Sequence, residues 1–224
     1  MSKQELVTPW EKWTGLTEYT KDYHITKKRK QLFLKFLKTQ PAGLKVLDVG
    51  CYVGDVVHEI SQLGYKGHGI DVAQKNISAA KLKYPYYTFK TADLNKDKIP
   101  FPDGYFDVIW AGDIIEHVYN TINLFSQFNR ILKPNGKLVC STPYHGKLKM
   151  IAISLVDLKR HFHPEHPHVR FYTDTSLQMI LKKYGFVVEK KHFLGRAPLL
   201  SNNMFFISRK GSELEWEKVP TAFH

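Results

Sequence analysis

Short β-rich runs alternate along this chain with stretches in which apolar residues return every three or four positions, and the switch repeats many times. The spacing predicts a first helix over 26–38, where Leu32, Phe33, Phe36 and Leu37 share a face and Lys27, Lys28, Arg29 and Lys30 crowd its beginning. Pro41 and Gly43 break it. Leu44 to Val49 reads as a buried strand, followed after Gly54 by a helix with Val56, Val57, Ile60 and Leu63 on its core side and Gly64 as its stop. Further strands are expected at 67–72, 86–90 and 106–111, with a helix over 74–83 after the first of them. A helix carrying Phe125, Phe128, Ile131 and Leu132 then ends at the Pro-Asn-Gly of 133–136, and 137–141 is a fifth strand.

The next stretch, 142–172, is rich in His and Pro and holds one apolar piece, Met150 to Leu158, read as a short helix. Loops of this length are commonly functional. A last helix starts near Thr173 with Leu177, Ile180, Leu181 and Tyr184 facing inward and stops at Gly185; strands over 186–192 and 203–209 follow. Such alternation marks an α/β domain with a mostly parallel sheet. The division read from it is an N-terminal helical cap over 1–43, a main domain over 44–210 with a recognition loop at 143–172, and a tail over 211–224 whose acidic part, 213–217, leaves the core.

Composition narrows the function classes. With 43% hydrophobic and 24% charged residues among 224, the chain has material for a real core, which excludes a disordered protein. Thirty-three Lys and Arg against 21 Asp and Glu leave +12, a charge that attracts anions without choosing among phosphates, lipid headgroups and carboxylates. Two cysteines, Cys51 and Cys140, are too few for a disulfide scaffold or a cysteine-rich zinc module. No run approaches the roughly 20 apolar residues of a membrane span, and the first residues lack a signal core. A cytoplasmic location is the expectation.

The strongest motif is VLDVGCYVGD, Val46 to Asp55: a buried strand, a turn with Gly50 and Gly54, then an amphipathic helix. Glycines there let backbone approach a ligand closely, and the helix start offers free N–H groups. About twenty residues beyond Gly50 the next strand ends in Asp71, where a carboxylate accepts ribose hydroxyls in nucleotide-binding α/β sheets. The glycine spacing is not that of a dinucleotide phosphate cradle, and Asp48 and Asp55 would repel a pyrophosphate. They suit a cofactor bearing positive charge. A plain tight turn is the alternative for Gly50 and Gly54.

From about Lys45 to Arg209 the chain resembles the class I S-adenosylmethionine-dependent methyltransferases, and among them the type 11 and ubiquinone-biosynthesis O-methyltransferase-like group. The ordered motifs are VLDVGCYVGD, GIDVAQ with Asp71, TADLNK with Asp93, YFDVIWAGDIIEHV and RILKPNGKLVCSTP. The resemblance implies a Rossmann-like fold: a seven-stranded, mostly parallel sheet with an antiparallel last strand and helices on both faces. It implies S-adenosylmethionine as cofactor, with Asp48, Gly50, Tyr52 and Gly54 around its methionine part, Asp71 on the ribose, Val72 against the adenine, Asp93 accepting from the exocyclic amine beside the Leu94 backbone, and Ala111 lining the pocket. Tyr52 departs from the family, many members carrying glycine there. Asp93 has a second reading as the anchor of an Asx turn.

After the fourth strand, Asp113-Ile-Ile-Glu116-His117 places three oxygen or nitrogen ligands on one helical turn, and the later His161, His163, His166 and His168 lie in the loop. Ubiquinone-biosynthesis O-methyltransferases and small-RNA 2′-O-methyltransferases share an acid-x-x-Glu-His motif with a distant His, matched here by His168 before Arg170-Phe171-Tyr172-Thr173. That resemblance implies a divalent metal, magnesium or similar, on Asp113, Glu116, His117 and His168, although those branches usually have Glu where Asp113 stands. The alternative is a metal-free relative in which His117 is simply near the acceptor. His117 is the candidate base, with Glu116 beside it; the other loop histidines read as pH-variable charges.

The function expected is transfer of a methyl group to a hydroxyl oxygen of a small molecule. Tyr144, His145, Phe162, His163, Phe171 and Tyr172 in the loop suit a ring-bearing acceptor, or else pack the loop onto the sheet. An RNA methyltransferase and a non-catalytic nucleotide-binding protein are the alternatives. A peripheral membrane contact through Lys27 to Lys30 with Leu32, Phe33 and Phe36 is a further expectation.

Overall fold

The computed structural model describes residues 23–156, 158–161, 168–195 and 201–211. Chain order is α1 (Tyr23–Leu37), β1 (Lys45–Val49), α2 (Asp55–Gln62), β2 (Lys66–Asp71), α3 (Gln74–Lys83), β3 (Thr88–Thr91), β4 (Phe106–Gly112), a 3₁₀ turn (Ile115–His117), α4 (Thr121–Ile131), β5 (Leu132–Pro143), α5 (Lys147–Val156), α6 (Leu158–His161), α7 (Asp174–Lys183), β6 (Phe186–Gly195) and β7 (Ser201–Lys210). The seven strands form one sheet in the order β3-β2-β1-β4-β5-β7-β6. Only β7 runs against its neighbours, pairing antiparallel with both β5 and β6. The expected architecture is the observed one.

Alternation along the central strands explains the two-sided core. Val46, Val108, Trp110, Val139, Phe205 and Ile207 face α1 and α2, where they meet Phe33, Leu37 and Ile60. Leu47, Val49, Ile109, Ala111, Leu138, Cys140, Met204 and Phe206 face the other way, onto Leu124, Phe125, Phe128 and Ile131 of α4 and Leu177 and Leu181 of α7. Strands buried on both faces carry few polar side chains along their length. Cys51 and Cys140 are buried free thiols in separate clusters.

Two expectations change in detail. The Pro-Asn-Gly segment does not separate α4 from β5. Leu132 already pairs with Phe106, and the next pairs run from Lys137 opposite Val108, so 133–136 form a bulge within β5, with Asn135 in the left-handed region (φ 61°). Asn is among the residues that tolerate that conformation. The apolar loop helix spans 147–156 rather than 150–158.

The expected membrane-facing side of the first helix is turned inward. Phe33 is buried and stacks on Trp110, with ring centroids 4.6 Å apart and planes 8° from parallel, and Leu32 and Phe36 pack on the same cluster. Among the described residues no helix is long and apolar enough to cross a membrane. The acidic tail, 213–217, lies outside the described residues.

Because α1 is held to the sheet by this stack, Phe33→Ala is expected to lower unfolding stability by about 3–5 kcal/mol. Urea unfolding followed by tryptophan fluorescence checks it, and a loss below ~1 kcal/mol contradicts the packing role.

Candidate active site

The carboxyl ends of β1, β2 and β4 converge on a small set of turns. At the end of β1 the chain bends through three left-handed residues, Gly50 (φ 74°), Tyr52 (φ 49°) and Gly54 (φ 85°). The left-handed backbone favours glycine at the first and third, and the packing around them adds to that preference. A Cβ on Gly50 would stand 2.2 Å from the Ile114 Cδ1, and one on Gly54 would stand 2.6 Å from the Phe89 ring. Tyr52 bears a conformational cost of about 1 kcal/mol in the same region. Its backbone N–H donates to an Asp71 carboxylate oxygen at 3.0 Å, which offsets that cost. The backbone N–H groups of Gly50 and Cys51 both donate to the Ile70 carbonyl, at 2.8 and 2.9 Å.

Asp71 therefore organises two turns. Beyond Tyr52, its other carboxylate oxygen accepts from the Ala73 N–H at 2.9 Å and the Asn76 amide at 3.1 Å. A carboxylate has about four acceptor positions, so three internal bonds leave capacity for a ligand hydroxyl. Val72 is 41% exposed and Tyr52 43% exposed, leaving an apolar and an aromatic side chain on the open side of the turns. Asp48 is buried in β1, and burial, with the Asp71 charge added, raises its carboxyl well above the usual range. A cationic ligand group beside it would favour its ionised form.

Asp93 makes the Asx turn of its second sequence reading. Its carboxylate accepts from the Asn95 N–H at 2.9 Å, an Asx turn, and lies 3.6 Å from the Lys96 ammonium. The Leu94 carbonyl accepts from the Asn123 amide at 2.9 Å, and Ala111 is fully buried at the end of β4.

The second group forms where β4 runs into the 3₁₀ turn. The Glu116 carbonyl accepts the N–H groups of Val169 (2.9 Å) and Arg170 (3.0 Å), which draws the distant His168 beside the turn. The His117 and His168 rings lie 4.8 Å apart at 61°. Ligand atoms of Glu116, His117 and His168 all fall within 4.8 Å of one another. Glu116 is 1% exposed, and neither of its carboxylate oxygens has a hydrogen-bond partner. The hydroxyls of Thr142 and Tyr172 are buried and unpartnered as well. Burial pushes the Glu116 carboxyl up to about 7, because its own backbone N–H, the nearby Thr142 hydroxyl and the Arg29 charge only partly counter desolvation. Thr142 stands near that carboxylate without hydrogen-bond geometry.

Asp113, grouped with these residues by spacing, is not among them. It adopts φ 53°, so the helical turn that would align it with Glu116 begins only after it. Its carboxylate instead accepts from the Ser141 hydroxyl (2.9 Å) and the Asn203 amide (3.1 Å) and is ion-paired with Arg29. Sequence reasoning gave no role at this site to Arg29, Ser141, Thr142 or Asn203. Asn203 lies 90 residues from Asp113, a distance no local pattern bridges. Of the loop residues, His145 and Tyr172 are buried, Tyr144 packs edge-on against Phe193, and Phe171 is exposed. Phe162, His163 and His166 lie outside the described residues, as does the side chain of His161.

A family model described as a methyltransferase domain matches residues 21–191. A ubiquinone biosynthesis O-methyltransferase of Bradyrhizobium diazoefficiens is 33% identical over 123 residues, which cover 51% of this chain and 45% of that one. The chain thus aligns with less than half the length of that relative. Among solved structures, an S-adenosylmethionine-dependent methyltransferase from Methanosarcina mazei superposes with a TM-score of 0.61 at 20% identity, covering 78% of this chain and 95% of that one. A chain from the complex between the Haloferax volcanii Trm112 methyltransferase activator and a methyltransferase gives 0.65 at 14% identity, covering 86% and 94%. These two likenesses speak to the fold.

The raised Glu116 carboxyl has a consequence for stability. Below about pH 4.5 the group is protonated folded or unfolded and is neutral to folding. Between 4.5 and about 7 the unfolded chain releases the proton while the folded chain keeps it, so stability falls as pH rises. Glu116→Gln is expected to flatten that decline and to stabilise the metal-free protein above pH 7 by up to about 3 kcal/mol. Denaturant unfolding in chelator from pH 4.5 to 8 reads this; parallel curves for the two proteins contradict it.

Proposed function

Since the chain belongs to the methyltransferase-domain family, as a class I S-adenosylmethionine-dependent methyltransferase, we propose that it transfers the methyl group to a hydroxyl oxygen of a small molecule and that Glu116, His117 and His168 face that hydroxyl. One observation carries the reading: a buried, unpartnered carboxylate and two imidazoles gathered within 4.8 Å just beyond the carboxyl end of β4. The Bradyrhizobium relative, named for O-methylation, supports the choice of oxygen.

Asp48, Gly50, Tyr52 and Gly54 would hold the methionine part of the cofactor, Asp71 the ribose, and Val72, Asp93 and Leu94 the adenine, with Ala111 behind them. The turn suits such a ligand because Tyr52 and Val72 leave an aromatic and an apolar side chain on its open side and because Asp48 is a buried carboxyl that a positive charge would ionise. S-adenosylmethionine, when bound, supplies a methyl group activated by its sulfonium. The chain's own task is to align an acceptor for in-line attack and to take its proton. His117 is the residue assigned that proton, since an imidazole accepts one near neutral pH.

In the alternative form of the site Glu116, His117 and His168 would instead hold a divalent cation such as magnesium or manganese, which lowers the pKa of a bound hydroxyl; the His117 lone pair would then be on the ion and the hydroxyl proton would pass to solvent rather than to His117. The donor set, one carboxylate and two imidazoles, is rich in nitrogen for magnesium and suits manganese or another first-row divalent ion better, and the unpartnered Glu116 oxygens are the feature an ion would satisfy. Asp113 has no part in this set. Phe171, exposed three residues beyond His168 in the chain, would provide an apolar surface for an acceptor ring.

Two outcomes are expected. Asp71→Ala weakens binding of S-adenosylhomocysteine at least tenfold by calorimetry, because it removes the ribose acceptor and an anchor of the glycine turn; unchanged affinity contradicts the cofactor assignment. With labelled cofactor and a panel of hydroxylated aromatic acceptors, His117→Ala is expected to lower turnover about a hundredfold or more while that binding persists. Methyl transfer confined to nitrogen acceptors or to RNA would overturn the proposal. Loss of turnover in chelator, restored by added magnesium or manganese, is expected if the cation is resident; full turnover in chelator leaves His117 as the base without one.

A further inference from the structure

Asp113 is the point at which four elements meet. Its backbone N–H donates to the Ser141 carbonyl of β5 at 3.0 Å. One carboxylate oxygen accepts from the Ser141 hydroxyl and from the Asn203 amide of β7, and the other is ion-paired with Arg29 of α1. Arg29 is itself buried, and its guanidinium also donates to the Thr26 hydroxyl one helical turn back, at 2.9 Å. At the far end of the same turn the Glu116 carbonyl is fixed by the Val169 and Arg170 N–H groups. The backbone that carries Glu116 and His117 is thus clamped at both ends.

The two clamps differ in kind. The second consists of backbone bonds that any sequence could make. The first adds to one backbone bond, from the Asp113 N–H to the Ser141 carbonyl, contacts that depend on side-chain identity. Asp enters the left-handed region more readily than most residues bearing a Cβ, but only as a minor state, so local preference alone does not hold Asp113 at φ 53°. Its carboxylate contacts do, and the charged member among them comes from a helix distant in sequence. Ile114, the next residue, lies over Gly50, so the position of this turn is also felt at the glycine turn.

We infer that Arg29 is a positioning residue: by fixing the Asp113 carboxylate against β5 and β7, it sets the turn that brings Glu116 and His117 to His168, and it withholds Asp113 from that group. The inference deepens the proposed function and rests on it for the use of the group, while the geometry it explains is independent of what binds there. The pair acts on the ligating residues through the backbone of the turn; for partners that orient ligating residues directly, substitutions commonly cost tenfold or more in metal affinity, which sets the scale expected here. Were Arg29 only an anchor for α1, its loss would lower stability and leave the ring pair as it is.

The experiment compares the full chain with R29M, R29K and D113N. Two readouts are taken: the nuclear Overhauser contact between the His117 and His168 ring protons, measured without metal, and binding of manganese ion by titration. In the wild type the ring contact is expected. R29M is expected to lose it and to bind manganese about tenfold more weakly, while R29K, which keeps the charge, restores most of both. D113N retains an acceptor for Ser141 and Asn203 and tolerates the left-handed backbone, so it isolates the ion pair and is expected to fall between R29M and the wild type. If R29M does not fold, D113N is read in its place. A ring contact unchanged in R29M or in its substitute, or absent from the wild type, overturns the inference. A wild type that shows the contact but binds no manganese defeats the metal part of the proposed function; loss of the contact in R29M then still supports Arg29 as the positioning residue.

Discussion

The rest of the structure follows from one constraint: the central strands are apolar on both faces. Val46, Val108 and Trp110 point to one layer of helices, Leu47, Ile109 and Ala111 to the other. Polar side chains find room chiefly where strands stop. Asp71 is the last residue of β2, Gly50 follows β1, and Asp113 to His117 follow β4, all at the carboxyl edge. In open α/β sheets this edge is where ligands bind, because the turns there combine free backbone groups with side chains of several strands. The candidate cofactor turn and the Glu116, His117 and His168 group are neighbours through Ile114, which lies over Gly50.

That placement has an electrostatic side. The chain carries a net charge of +12, yet its candidate site contains two buried carboxyls, Asp48 and Glu116, each held toward its neutral form by burial. In the proposed reading each is relieved by a positive partner, the cofactor's charge for Asp48 and a metal ion for Glu116. A third carboxyl in the region, Asp113, already has its cation in Arg29. Three acids within one short stretch of strand ends thus have three different fates, and the difference lies in which opposite charge reaches them.

The sheet, its order of elements and the glycine turn were legible because each rests on local signals. Alternating or helical apolar spacing marks strands and helices, and Gly50, Gly54 and Asp71 sit at spacings that a βαβ unit dictates. The bulge at Asn135 was misread as a stop because Pro-Asn-Gly reads locally as a turn, and only pairing with β4 reveals that the strand continues through it. Asp113 was misgrouped for a related reason: helical spacing assumes helical backbone, and a left-handed residue breaks that assumption. Its partners Arg29 and Asn203 come from elements far away in the chain, as do the contacts that bury Phe33 against Trp110. Pairing of Glu116 and His117 with His168 was legible through motif resemblance, whereas the backbone bonds that produce it were not.

The most direct test of the account is a crystal structure with S-adenosylhomocysteine and manganese ion supplied together. It predicts the adenosyl group against Val72 with its ribose on Asp71, the amino-acid end over the Gly50 to Gly54 turn, and metal density bounded by Glu116, His117 and His168 with Asp113 still on Arg29. Nucleoside density elsewhere in the sheet, or a turn in which the two histidines point apart, would contradict it.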